Sequence, residues 1–307
     1  MSSLSVGIVG LPNSGKSTLF NALLRKKIAQ VAEYPYTTIE PNVGVVEVPD
    51  ERLEKMASVL KIPKKVPAAI RFIDIAGLVK GAHAGEGLGN QFLAHIREVD
   101  AVLHVVRAFP STSPSTMSSG PNGSGQVILH VMGDINPIRD VEVVNLELEL
   151  GEIRKPAIYI LNVSEADFAK DFNLPFPYIK ISAKLEAELS ELPDVEQKEY
   201  LKSLGITHFS LDQVILASYK LLDLITFFTV AGGKQSQAWP IKTGTNVISA
   251  AEKVHTDFAK NFIKAEVIPW DELVTAGSWS AAREKGLIKI AGRDEIVLDG
   301  QVIEFKI

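Results

Sequence analysis

Cysteine is absent from this chain of 307 residues. That excludes a disulfide framework and any thiolate-bound metal, and it is compatible with a reducing cytosol. No apolar run reaches the ~18 residues that a membrane helix needs. The opening residues, MSSLSVGIVGLPNSGKST, lack both a basic segment and a long apolar core, so no signal peptide is expected. An excess of either charge is missing too: 32 Lys and Arg stand against 37 Asp and Glu, for a net charge of −5. Nucleic-acid binding through bulk positive charge is thereby disfavoured, although a local basic patch is still allowed. The remainder, 46% hydrophobic and 22% charged, is ordinary globular material, enough for one large domain or two unequal ones.

Over the first two thirds, short apolar runs alternate with helical patterns. Residues 4–9, 69–75, 101–109, 157–162 and 178–181 read as buried strands, with helical periodicity over 16–27, 141–150 and 183–224, the last broken near Pro193 and at 205–207. Asp50 is a natural N-cap for a helix reaching about Leu60. Strands separated by helices imply right-handed crossovers, and so an α/β fold with a mostly parallel sheet covered on both faces. Residues 110–125, PSTSPSTMSSGPNGSG, are small and polar and predict a mobile loop, because they bury too little to offset their ordering entropy. Beyond about Ile225 the texture changes. Short strands at 227–230, 238–242, 264–268, 288–290, 296–298 and 302–307 surround a helix over 246–262 and a weaker one near 279–285. The chain therefore divides into a nucleotide-binding domain, residues 1–221, and a small α+β module, residues 222–307.

The sharpest signal is Gly10-Leu-Pro-Asn-Ser-Gly15-Lys16-Ser17, a G-x-x-x-x-G-K-[ST] phosphate loop between a strand and a helix. Its glycines let successive amides from Asn13, Ser14, Gly15, Lys16, Ser17 and Thr18 face an anion at the positive end of the helix. Lys16 would reach the β- and γ-phosphates, and the Ser17 hydroxyl would ligate Mg²⁺. Asp74-Ile75-Ala76-Gly77 supplies the D-x-x-G that follows, with Asp74 near the metal and the Gly77 amide near the γ-phosphate. Between the two lies Tyr34-Pro-Tyr-Thr37-Thr38, where Thr38, or failing it Thr37, would complete the metal shell as a switch.

Guanine-specific enzymes of this class use Asn-Lys-x-Asp after a late strand. Here the strand ends in Asn162-Val163-Ser164-Glu165, so the lysine stem that covers the base is missing and the carboxylate is one methylene longer. Adenine suits such a site better, with Asn162 toward N7 and the Val163 backbone toward the exocyclic amine. Ser182-Ala183-Lys184, after the next strand, matches the loop that packs beside the base. The residue after Gly77 is Leu78 where Ras-like enzymes carry a water-orienting glutamine, so hydrolysis should be slow unless another group helps. His130 is the first candidate for that catalytic role and His83 the second, whereas His95 and His104 read as structural.

Taken together, the segments at 7–23, 34–46, 72–107 and 159–165 resemble the YchF subfamily of Obg-like ATPases, translation-factor-related P-loop proteins. Residues 254–268 and 296–307 resemble that family's TGS domain, a β-grasp module. The resemblance implies ATP hydrolysis in preference to GTP, dependence on Mg²⁺, a glutamine-less active site and a catalytic histidine that maps onto His130. It also implies a cytoplasmic protein that associates with the ribosome in translation or stress regulation. One departure is large. The family's antiparallel helical arm needs ~27 residues in each direction for ~40 Å of length, and residues 110–156 cannot supply that beside their loop and helix. The arm is expected to be absent or a stub, which puts direct nucleic-acid contact in doubt but leaves the nucleotide site intact. The rival readings are a GTPase of the same fold, and a nucleotide-gated binding module in which turnover is incidental.

Overall fold

The computed structural model describes residues 4–27, 42–75, 88–110, 135–203 and 210–307. Strand β1 (Ser5–Val9) is buried throughout and runs through a glycine-bearing loop into helix α1 (Lys16–Lys27). There follow β2 (Val43–Glu47), α2 (Glu51–Val59), β3 (Lys64–Val66), β4 (Ala69–Asp74), α3 (Leu88–Glu98) and β5 (Ala101–Ala108). Next come α4 (Pro137–Leu150), β6 (Ala157–Val163), β7 (Tyr178–Ile181), α5 (Ala183–Leu189), α6 (Asp194–Ser203) and α7 (Ser210–Leu221). The remaining elements are β8 (Leu224–Ala231), β9 (Gln235–Lys242), α8 (Val247–Val254), α9 (Thr256–Lys260), β10 (Lys264–Pro269), α10 (Trp270–Ala276), α11 (Trp279–Glu284), β11 (Lys289–Ala291) and β12 (Gln301–Lys306).

These elements build two six-stranded sheets, each in its own compact unit. The first has the order β2-β4-β1-β5-β6-β7, and β4, β1, β5, β6 and β7 run parallel. Nearly continuous burial along β1 and β5 is what a parallel strand covered on both faces requires. On one face Val9, Phe92, Leu93, Ile96, Val102 and Val144 form a core between the sheet and helices α3 and α4. Parallel packing brings the carboxyl ends of β1, β4 and β6 to one edge, the place where open α/β sheets bind ligands.

The second sheet has the order β11-β10-β12-β8-β9-β3 and packs Phe227, Ile241, Val247, Ala250, Ala265 and Ile303 into its own core. Its membership extends beyond the C-terminal third anticipated above, because residues 47–70 belong to this unit together with 219–307. Strand β3 pairs parallel to β9, with Lys64 opposite Gln235 and Val66 opposite Gln237. Asp50 caps α2 by accepting from Arg52 N at 3.0 Å. The Arg52 guanidinium in turn bonds Asp50 and Asp299, the latter at 2.7 Å. Asp299 also accepts from the Thr226 amide at 2.8 Å, so one side-chain set ties α2 to β8.

Three expectations for the C-terminal module need correction. The helix anticipated over 246–262 is two helices, because His255 is extended (φ −163°, ψ 141°) and its Nδ1 accepts from Asp257 N, restarting the helix. Residues 296–298 form no strand; Ile296 makes only an isolated bridge to Asn246. Helix α10, which the sequence pattern did not suggest, follows β10 directly after Pro269 and ends at Gly277 in the left-handed region. Most of the loop expected at 110–125 lies outside the described residues. Among the described residues, no helix is long and apolar enough to cross a membrane.

Candidate functional site

The phosphate loop is shaped by three residues with positive φ: Gly10 (+150°), Asn13 (+59°) and Gly15 (+96°). A Cβ on Gly10 would come within 2.3 Å of the Val105 carbonyl oxygen, and one on Gly15 within 2.2 Å of Asn162 Nδ2, so neither position admits a side chain. The loop then opens α1, whose first amides have no carbonyl within the helix to bond. Asn13, Ser17 and Thr18 are exposed there, while Ser14 and Lys16 are buried. Lys16 Nζ bonds the carbonyl oxygens of Gly10 at 3.1 Å and Leu11 at 2.9 Å, which holds the ammonium on the inner side of the loop. Burial lowers the Lys16 pKa, and the Asp74 charge works against that shift.

At the end of β4, Asp74 accepts a 2.7 Å hydrogen bond from Ser17 Oγ through Oδ2, while its Oδ1 is buried with no partner. A hydroxyl beside a half-satisfied carboxylate is the donor set that a magnesium ion uses when the nucleotide's phosphates and water complete its shell. The residues therefore fit Mg²⁺. Among the described residues no cluster of three or more His, Cys, Asp or Glu offers an all-protein metal cage.

Asn162, expected to face the base, has a structural task that the sequence did not reveal. Its Nδ2 donates to the Ser14 carbonyl at 2.9 Å and its Oδ1 accepts from the Ala183 amide at 2.9 Å. Buried at 4% exposure, it fastens the phosphate loop to the loop after β7, with one amide hydrogen to spare. Ser182 caps α5 by accepting from Leu185 N, and Lys184 extends from the same turn to pair with Glu188 at 3.7 Å. The Val163 side chain is packed among Val106, Ala108 and Leu161, so only its backbone can meet a ligand. Glu165 is exposed just beyond and receives a hydrogen bond from Tyr200 of α6 at 3.0 Å. Nothing local in the sequence singles out Tyr200, which is 35 residues away. Thr37, Thr38, Gly77, Leu78, His83 and His130 lie outside the described residues.

His104 occupies the strand register between Val9 and Tyr159, beneath the loop. Its ring lies 5.5 Å from that of Tyr159, and its Nε2 is buried without a hydrogen-bond partner. Burial, helped by the Lys16 charge, depresses its pKa to about 3. The unfolded chain takes up a proton near pH 6.5 whereas the folded one does not, so stability is lost as pH falls from 6.5 toward 3. The expected slope from this one residue is about 1.4 kcal/mol per pH unit. Hydrogen exchange of β1 and β5 amides, corrected for intrinsic rates, should show the loss between pH 7 and pH 5 and a flatter profile in His104→Leu.

Comparison with known proteins places this site in a family. A model described as a 50S ribosome-binding GTPase matches residues 5–162, and the model named YchF-GTPase_C, described as a protein of unknown function, matches 224–307. The protein named ribosome-binding ATPase YchF of Bacillus subtilis (strain 168) is 38% identical, covering 99% of both chains. The protein of the same name from Escherichia coli O157:H7 is 37% identical, covering 97% of this chain and 98% of its own. The chain belongs to the YchF family. Its fold matches the solved structure of the Schizosaccharomyces pombe YchF GTPase with a TM-score of 0.81 at 29% identity, over 100% of this chain and 98% of that one. The alignment with the Bacillus YchF runs over 377 positions, 70 more than this chain has residues.

Proposed function

We propose that this YchF-family chain binds ATP with Mg²⁺, hydrolyses it slowly, and works as a nucleotide switch on the ribosome in the cytoplasm. The observation that carries the reading is the loop itself, a buried Lys16 held inward by Gly10 and Leu11, with Ser17 and Asp74 in contact at its mouth. In this reading the loop amides and Lys16 bind the phosphates, and Ser17 and Asp74 hold the ion, with Thr38 as a third ligand. Bound Mg²⁺ neutralises charge on the phosphate oxygens and helps to orient them.

Preference for adenine is supported by Asn162-Val163-Ser164-Glu165. Lacking the lysine stem and placing its carboxylate farther out, this segment does not present guanine with its usual partners. The spare amide hydrogen of Asn162 would serve N7, the Val163 backbone the exocyclic amine, and Ser182-Ala183-Lys184 would flank the ring. Leu78 cannot orient a water, and His130 is proposed for that task on the family resemblance. Ribosome association is carried over from the names of the relatives. The 1–221 and 222–307 division into a nucleotide-binding domain and a TGS-like module is kept as a functional proposal, with 47–70 as the structural complement of the second.

Phosphate release measured with ATP and with GTP, with and without ribosomes, tests this reading. Slow turnover of ATP, weaker turnover of GTP, stimulation by ribosomes and abolition by chelation of Mg²⁺ are expected. Turnover of GTP at the rate of ATP or faster would contradict the adenine assignment.

A further inference from the structure

The loop after β6 carries two carboxylates near the expected base site, and the structure treats them differently. Asp167 is enclosed by its own loop, accepting from Ser164 Oγ at 2.7 Å and pairing with Lys170. Hydrogen bonds from Lys170 and Ser164 hold its pKa below the usual carboxylate range, so it is committed as an anion to local structure. Glu165 is held by a residue from elsewhere. Tyr200, from α6, donates its phenol hydrogen to Oε1 at 3.0 Å.

That contact joins helix α6 to the segment after β6. The bond to Glu165 raises the Tyr200 pKa, the Glu165 charge adds to it, and the charge of Glu188 contributes further. Glu188 lies on α5 and pairs with Lys184 at 3.7 Å. Tyr200 therefore lies against the Asn162–Glu165 segment assigned to the base, within range of the Glu188 charge on α5, and its raised pKa keeps it a protonated donor at neutral pH.

We propose that Tyr200 is a specificity-determining residue for the purine, tethering Glu165 Oε1 so that the carboxylate is held out of the orientation in which both of its oxygens face the base edge. This rests on the purine site proposed above. Guanine presents two donors side by side, N1–H and the 2-amino group, which call for both oxygens of one carboxylate. Adenine presents its 6-amino group alone, which the Val163 backbone serves in the site proposed above, and so does not call for both oxygens. On an exposed glutamate the phenol bond is weak, but a bound base excludes water and makes the orientation of the acceptors matter. The long side chain of Glu165 would otherwise be free to turn both oxygens toward guanine.

Tyr200→Phe keeps the ring and removes only the donor, so the test leaves packing in place. Affinities for ATP and GTP, each with Mg²⁺, would be measured by titration on the full chain for wild type, Tyr200→Phe, Glu165→Ala and the double variant. The expected result is a fall of about threefold to tenfold in the ATP-over-GTP preference of Tyr200→Phe, mainly through tighter GTP. The same tyrosine change should have no effect when Glu165 is already alanine, which offers the phenol no acceptor. If wild type prefers ATP and Tyr200→Phe leaves the ratio within twofold, or widens it, the role of Tyr200 is overturned while the purine site stands. If wild type holds neither nucleotide, the purine site falls and this role falls with it.

Discussion

Lys16→Met should abolish ATP turnover and weaken ATP binding by at least about 100-fold while leaving the chain folded. The ammonium is the one cation that the loop holds on its inner side, fixed between the carbonyl oxygens of Gly10 and Leu11. Two charge-assisted contacts to phosphate oxygens are together worth roughly 3–6 kcal/mol, which is about 10²- to 10⁴-fold in affinity. The effect on turnover should be larger still, because charge builds on those oxygens in the transition state. Stability should not suffer in step. Burial already lowers the Lys16 pKa, so the folded protein bears a cost for this charge, and methionine fills the space of the stem without it. Thermal unfolding together with a phosphate-release assay would show an inactive protein with an unchanged or higher melting temperature. Retention of more than a tenth of wild-type turnover would contradict the assignment of Lys16.

Asn162→Ala should have the largest effect on stability, and it should damage binding at the same time. Removing the carboxamide leaves the Ser14 carbonyl and the Ala183 amide facing a small buried void, two orphaned polar groups at about 1–3 kcal/mol each. A loss of about 2–5 kcal/mol is expected from urea unfolding followed by hydrogen exchange at β1 and β6, with weaker ATP binding because the loop is no longer fastened. Asn162→Asp should fare as badly, since a carboxylate can still accept from Ala183 but repels the Ser14 oxygen. Gly15→Ala tests the same junction from the other side. Its methyl group would stand 2.2 Å from Asn162 Nδ2, an atom that cannot retreat without giving up Ser14. The two changes should therefore be markedly non-additive when combined, although the positive φ of residue 15 keeps the double variant below wild type. Additive effects, or an Asn162→Ala variant within 1 kcal/mol of wild type, would contradict this account.

How much of this was legible beforehand depends on the range of the interactions concerned. The phosphate loop, α1, the Asp50 cap and the parallel strands are written in local pattern: glycine spacing, a capping residue next to a helical period, and short buried runs. Those features coincide with the structure to within a residue or two. The contact between Asn162 and Ser14 spans 148 residues, and no spacing rule announces it. Tyr200 was equally silent, because an exposed tyrosine on a polar helix has no periodic signature, and its meaning comes from Glu165 across space. Strand β3 is three residues long with two exposed lysines, so it carries no apolar alternation, and pairing with β9 is what defines it. Over 246–262 the apolar period is continuous on both sides of His255, which concealed a break made by backbone geometry and one side-chain cap.

Calorimetric titration of the full chain with non-hydrolysable ATP and GTP analogues, in Mg²⁺, tests the central claim most directly. The account predicts that the ATP analogue binds at least about tenfold more tightly, a difference of about 1.4 kcal/mol or more, and that Lys16→Met gives no measurable heat with either. Tighter binding of the GTP analogue by the same margin, or binding of neither by wild type, would contradict it.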